Sequence, residues 1–311
     1  YQYQIVQDFG STGRVKDFRR ELTIWLDQFG TQSTWAKTNA KDPKLIKENY
    51  ELQESTLRNH TLQLHNQAVN ARTQYSKKLA ANSYKMYLSY FRKSKNYSEM
   101  RFFYAELLYD LQEYEKAATQ YEWVALNDRK SKYFKNAVEN NVLAREKKVP
   151  SDAVMDSVRK AQKDKLKAIP LSKQVKAFER ASIIYLKAFP KGDKALDIKR
   201  RLGTIYYAHN QFDSSIKVLR QIVKDKPRSK DAQVAAEVIL DIHRLRNDLT
   251  AFQAEGNALL KNPAIAKSAF GKELRLNLEK AKFLVADNFS KKGNHLKAAK
   301  SFEAFAAANP R

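Results

Sequence analysis

Three segments of this chain share one spacing of small, turn-forming and bulky residues. Ala105, Gln112, Ala117 and Tyr121 stand at offsets 0, 7, 12 and 16. Gly203, Asn210, Ser215 and Leu219 repeat those offsets, and so do Ala286, Gly293, Ala298 and Phe302. Two antiparallel helices approach closely only where small residues meet at their crossing, which the first and third positions supply. The bulky fourth residue lies one turn beyond the third, on the same helix face, where it fills the space beside the crossing. Pro227 and Pro310 close the second and third units at offset 24, where the first unit has Arg129 instead. Proline lacks an amide donor, so it ends one unit and can open the next helix. The spacing predicts a helix, a polar turn and a second helix in each segment.

Composition agrees with a chain made of such hairpins. Gly (8) and Pro (7) are scarce in 311 residues, which favours long helices with short connections. There is no Cys, which removes disulfides, thiolate chemistry and cysteine-metal sites together. No run approaches the about eighteen apolar residues that a spanning helix needs. Lys and Arg number 58 against 34 Asp and Glu, a net charge of +24, and such a balance attracts polyanions. The densest basic stretch, residues 145–176, is interrupted by Glu146, Asp152, Asp156 and Asp164, so it reads as a lysine-rich solvated surface.

Outside the three hairpins the pattern is less regular. Val15, Phe18, Leu22, Trp25, Leu26 and Phe29 fall at helical spacing, and FGSTGR (residues 9–14) reads as a turn. Residues 43–93 read as two long helices, with Leu52, Leu57, Leu62, Leu64 and Val69 as core candidates in the first. Leu79, Tyr84, Tyr87, Leu88 and Phe91 form a stripe on the second. The resulting division is an N-terminal helical region (1–95), first hairpins (96–145), a lysine-rich degenerate connection (146–175) and a C-terminal array (176–311). The connection is expected to be a long helix or a mobile segment. Ala105 and Gly203 are 98 residues apart, close to three hairpin repeats. Gly203 and Ala286 are 83 apart, which requires a longer or irregular hairpin between them.

Leu202, Gly203, Tyr206, Phe212, Ile222 and Pro227 resemble the tetratricopeptide repeat, a 34-residue helix-turn-helix. The resemblance implies an all-α fold: a right-handed superhelical solenoid of antiparallel helix-turn-helix repeats that binds proteins and is not an enzyme. Residues 104–124 and 185–241 look most like tetratricopeptide proteins of the Gram-negative envelope. These include the barrel-assembly lipoprotein type and, taken with residues 25–43, the type tied to gliding motility. A periplasmic or outer-membrane-associated scaffold, with its signal peptide removed, is the expectation, and a cytoplasmic location is the alternative. The first helix of each hairpin would line a concave face holding a protein or peptide partner. The resemblance places Glu99, Phe102, Glu106, Tyr109 and Asp110 there in the first unit. In the second it places Asp197, Arg200, Thr204, Tyr207 and Ala208, and in the third Lys280, Phe283, Asp287, Ser290 and Lys291.

Chemistry-bearing patterns point elsewhere than catalysis. His60 and His65 are five apart, off the i, i+4 register of a helical zinc pair. His209 and His295 sit in hairpin turns, where polar residues are expected. No metal and no cofactor is implied. Tyr121, Tyr206, Phe212, Phe289 and Phe302 read as core rings. Two other function classes stay open. The charge motivates a basic helical array that binds nucleic acid or another polyanion, with steep salt dependence. A hydrolase or transferase would need a site assembled across hairpins.

Overall fold

The computed structural model of the protein describes residues 1–12 and 14–308. Gly13 of the predicted turn and Pro310 of the third unit lie outside the described residues. All regular structure among the described residues is α-helical, as the spacing and composition predict. The chain divides into two compact units, Tyr1–Lys148 and Val149–Arg311.

Many helices begin on a side-chain cap. The hydroxyls of Thr73, Ser151, Ser172, Ser229 and Ser268 each accept the amide N–H three residues on, satisfying a donor that the first turn leaves unpaired. The first unit holds α1 (Gln2–Ser11), α2 (Val15–Phe29), α3 (Thr34–Thr38) and the two long helices α4 (Pro43–Ala71) and α5 (Gln74–Tyr90). It continues with α6 (Tyr97–Asp110), α7 (Tyr114–Asn127) and α8 (Phe134–Glu146). From α4 onward each helix packs on the next. Phe9, Gly10 and Ser11 belong to α1, so the turn expected over residues 9–14 is confined to the end of that stretch. The core runs through Leu22, Trp25, Leu57, Tyr84, Tyr87, Met100, Leu108 and Tyr121. Val69, an expected core residue, is exposed.

The second unit holds α9 (Asp152–Ala161), α10 (Lys173–Ala188), α11 (Ala195–Ala208), α12 (Phe212–Asp225) and α13 (Lys230–Leu245). It ends with α14 (Leu249–Leu260), the one-turn α15 (Pro263–Ala266), α16 (Ala269–Lys291) and α17 (His295–Ala308). Consecutive helices from α10 to α14 pack in pairs, and α16 packs on both α14 and α17. Residues 146–175 are not one long helix. They form the short α9 and an irregular stretch whose Ile169 N–H donates to the His209 carbonyl at 2.8 Å.

The hairpin register follows the predicted spacing. Helices α6 and α7 recur as α11 and α12, with both starts and both ends displaced by 98 residues. Ala105 and Ala117 are fully buried where α6 meets α7. At the α11/α12 crossing Ser215 Oγ donates to the Gly203 carbonyl at 2.9 Å. A Cβ placed on Gly203 would lie 2.4 Å from Leu219 Cδ2, so any larger residue must push that leucine aside. Four hairpin turns, α6/α7, α11/α12, α13/α14 and α16/α17, turn on a left-handed residue: Gln112 (φ 61°), Asn210 (φ 53°), Asn247 (φ 52°) and Gly293 (φ 74°). In each, that residue and its successor return N–H bonds to the last turn of the first helix, closing the helix in a Schellman motif. The turn at Asn247 belongs to the α13/α14 hairpin, the irregular one required between Gly203 and Ala286. Its surplus residues form α15 and lengthen α16.

Candidate interaction surface

The first helices α6, α11 and α16 carry the residues expected on a binding face. On α6 three of the five are engaged by α8 or the residues just before it. Phe102 is a correction: it is buried, its ring stacked on Tyr133 with centroids 4.5 Å apart, and so offers no surface to a partner. Glu99 accepts from Tyr133 Oη at 2.9 Å and pairs with Lys132 at 3.1 Å. Glu106 accepts from Tyr121 Oη at 2.5 Å and from Asn140 Nδ2 at 2.9 Å. Tyr109 is half-buried with its ring edge-on to Tyr114, and the exposed Asp110 pairs with Lys77 at 2.5 Å. Burial, and then the bond to Glu99, raise the Tyr133 hydroxyl above its ordinary range, so it stays a donor at neutral pH.

On α11 the face is open at one end and covered at the other. Asp197, Arg200 and Thr204 are exposed at one-turn intervals. Arg200 pairs with Asp197 at 3.3 Å and with Asp231 of α13 at 3.5 Å. Tyr207 is half-buried between two charges: its hydroxyl donates to Asp241 and accepts from Arg159 at 3.0 Å. The Arg159 guanidinium also lies over the Tyr207 ring, 4.1 Å from its centroid, a cation–π contact. The irregular stretch after α9 covers the neighbouring turn, where Asn210 Nδ2 and Gln211 Nε2 donate to the carbonyls of Lys167 and Ile169. On α16, Phe283 is 48% exposed, although its ring touches those of Phe302 and Phe305 at 5.5 and 5.8 Å. Asp287 and Lys291 pair with each other at 2.7 Å, and the expected Lys280 is exposed.

These contacts share one separation. Glu99–Tyr133, Glu106–Asn140 and Tyr207–Asp241 are each 34 residues apart. Asp213–Arg246 is 33 apart, and Arg220–Glu255 is 35. Equivalent positions of successive hairpins therefore meet, the arrangement expected of stacked units whose period is about 34 residues. Sequence reasoning located the first-helix face from this period. It missed Arg159, whose only signal was its place in a basic stretch, and the α8 residues that close over α6.

No protein-family model matches the chain, and no curated protein matches it. Among solved structures it is similar to a tetratricopeptide repeat protein from Parabacteroides merdae ATCC 43184. The identity is 14%, covering 98% of this chain and 93% of that one, with a TM-score of 0.29. At that score the two chains do not superpose as one arrangement, and the hairpin register above rests on this chain's own contacts.

Proposed function

We propose that this chain is a non-enzymatic scaffold of tetratricopeptide type, which holds a protein or peptide partner on the exposed face of its first helices. The 34-residue ladder of contacts carries this reading. It makes each hairpin a support for the next, and so presents a row of first helices whose outer positions are free to differ. In the second unit that row offers Asp197, Arg200, Thr204 and, further along, Phe283, Asp287 and Lys291. Acidic, basic and aromatic groups in one row suit an extended peptide or a partner helix. In the first unit Asp110 is exposed, while the half-buried Glu99, Glu106 and Tyr109 there, and Tyr207 in the second unit, would contact a partner only at their exposed edges. The likeness of residues 25–43, 104–124 and 185–241 to envelope tetratricopeptide proteins, including those tied to gliding motility, supports a role in the Gram-negative periplasm or at the outer membrane. Its partners there would be proteins of an envelope complex, with peripheral contact to anionic lipid or glycan.

The test is affinity capture from nuclease-treated native cells with the parent chain and with an Arg200→Glu/Thr204→Arg variant. Both positions are exposed, so the variant should keep the parent's helix content. An envelope protein retained after nuclease and lost with the variant is the expected result. Capture abolished by nuclease, or unchanged by the variant, overturns the reading.

A further inference from the structure

We propose that a basic pocket in the first unit, between α5, α6 and α7, binds a small organic phosphate ester. The pocket encloses about 620 Å³. Lys85 and Arg92 face it from the end of α5, Arg101 from α6, and Leu88, Tyr97, Tyr104 and Trp123 wall it. None of its lining residues is acidic. Among the described residues Lys85, Arg92 and Arg101 also make no ion pair, whereas Arg58, Arg145, Arg201, Arg220 and Arg246 each pair with a carboxylate.

Arg101 gives the pocket its chemistry. Its guanidinium lies 4.9 Å from the centroid of Tyr97 and 4.6 Å from that of Trp123, and these two rings meet edge-on. One N–H bonds to Gln120 Oε1 at 2.5 Å and another to the Tyr97 hydroxyl at 2.9 Å. Both partners are neutral, and Nε is buried without an acceptor. A guanidinium has five N–H donors in a fixed plane, so this one is held rigid with donors to spare. Withdrawing a cation from water without a counter-charge is costly, and an oxyanion bound to the fork would offset that cost. Three converging cations match a dianion better than a carboxylate. The volume far exceeds that of a bare phosphate ion, and its aromatic walls suit an apolar or planar body on the ester. Its residues from α6, Tyr97, Arg101 and Tyr104, are not those of the first-helix face proposed to hold a protein partner, and the rest come from α5, α7 and a residue just beyond α5.

The experiment is titration of the full chain with phenyl phosphate, followed through the indole N–H signals of its three tryptophans. Trp123 should shift saturably, while Trp25 and Trp35 should not. A Lys85→Glu/Arg92→Glu variant, altered only at exposed positions, should bind about tenfold or more weakly. Lys224→Glu/Lys226→Glu, the same charge change on exposed residues of the other unit, should bind as the parent does. Sedimentation with phosphatidic acid vesicles that is lost in the pocket variant would assign the ester to a lipid headgroup. Binding of phenyl phosphate without sedimentation would assign it to a soluble molecule. No saturable shift at Trp123, equal loss in both variants, or equal affinity for benzoate would overturn the proposal.

Discussion

Gly203 shows how one atom can fix a helix crossing. Its missing Cβ leaves room for Leu219, whose Cδ2 and Cγ would otherwise lie 2.4 and 2.8 Å away. Gly203→Leu should therefore overpack the crossing and cost about 1–3 kcal/mol in urea unfolding, with Leu219→Ala recovering part of the loss. Unfolding identical to the parent would mean that the crossing lies elsewhere. His60 makes a second residue-scale prediction. It packs against Phe18, its Nε2 is buried without a partner, and burial together with the Arg19 charge pushes its pKa down to about 4. An unfolded histidine takes its proton near pH 6.5. Between those values the unfolded chain binds a proton that the folded chain does not. This contribution is whole above pH 6.5 and is lost as pH falls toward 4, up to about 3 kcal/mol. Glu54 adds in the same direction at lower pH. Burial would raise its pKa, but hydrogen bonds from Tyr87, Asn96 and Ser94 and the Arg58 charge outweigh it, so the net shift is downward. Stability from Glu54 is present above the ordinary glutamate value and is lost as pH falls through the lowered one. His60→Phe should flatten the stability profile between pH 6.5 and 4 and leave the steeper loss below it.

At the scale of the helix and its turn, the left-handed residue decides where one helix stops and the next begins. Gln112 holds φ 61° with an exposed side chain, a conformation that glycine adopts without strain. Gln112→Gly should stabilise the α6/α7 hairpin by roughly 0.5–1 kcal/mol, read as a higher melting temperature. Asn210 has nearly the same φ, but its side chain bonds to the Lys167 carbonyl and to Arg159. Asn210→Gly should gain less than Gln112→Gly or lose stability. Equal gains would mean that the stretch after α9 does not hold the turn. These hairpins were legible in the sequence because their small, turn-forming and bulky residues keep fixed offsets. The α13/α14 hairpin was not, because Leu240 and Phe252 stand where the others have small residues. Its close approach moves to Gly256, where a Cβ would meet Leu278 Cδ2 of α16 at 2.7 Å. The first-helix face was legible only in position. Periodicity names the residues that point one way, but the cover over Phe102 and Tyr207 comes from Tyr133, Arg159 and Asp241, which the period alone does not reveal. The phosphate-type pocket was illegible for the same reason, since Lys85, Arg92 and Arg101 converge only once three helices are packed.

For the whole molecule, charge and repetition set the behaviour. A net charge of +24 makes the folded chain repel itself, so moderate salt, which screens exposed charges, should raise the melting temperature. A fall with salt would mean that its surface ion pairs outweigh the repulsion. Repetition bears on how the chain comes apart. Packing runs from each helix to its neighbours, so stability is close to a sum of local terms, and no single centre holds all of it. The first unit has one continuous core from Val6 to Ala144. The core of the second is divided: separate clusters form around Ile216, Ile239 and Ile242 and around Phe252, Leu274 and Leu278, and Phe178, Tyr185, Leu202 and Ile205 are buried outside both. A chain built this way need not unfold in a single step. We expect residues 1–148 and 149–311, expressed separately, to be helical. Residues 1–148 should melt cooperatively, and 149–311 more broadly, because its core is split. Global fits to urea unfolding of the intact chain by circular dichroism and by tryptophan fluorescence check this directly. All three tryptophans lie in the first unit, so fluorescence follows that unit alone. Transitions at different midpoints would show the units unfolding separately. Coincident midpoints, with neither half helical alone, would show that each unit needs the other to fold.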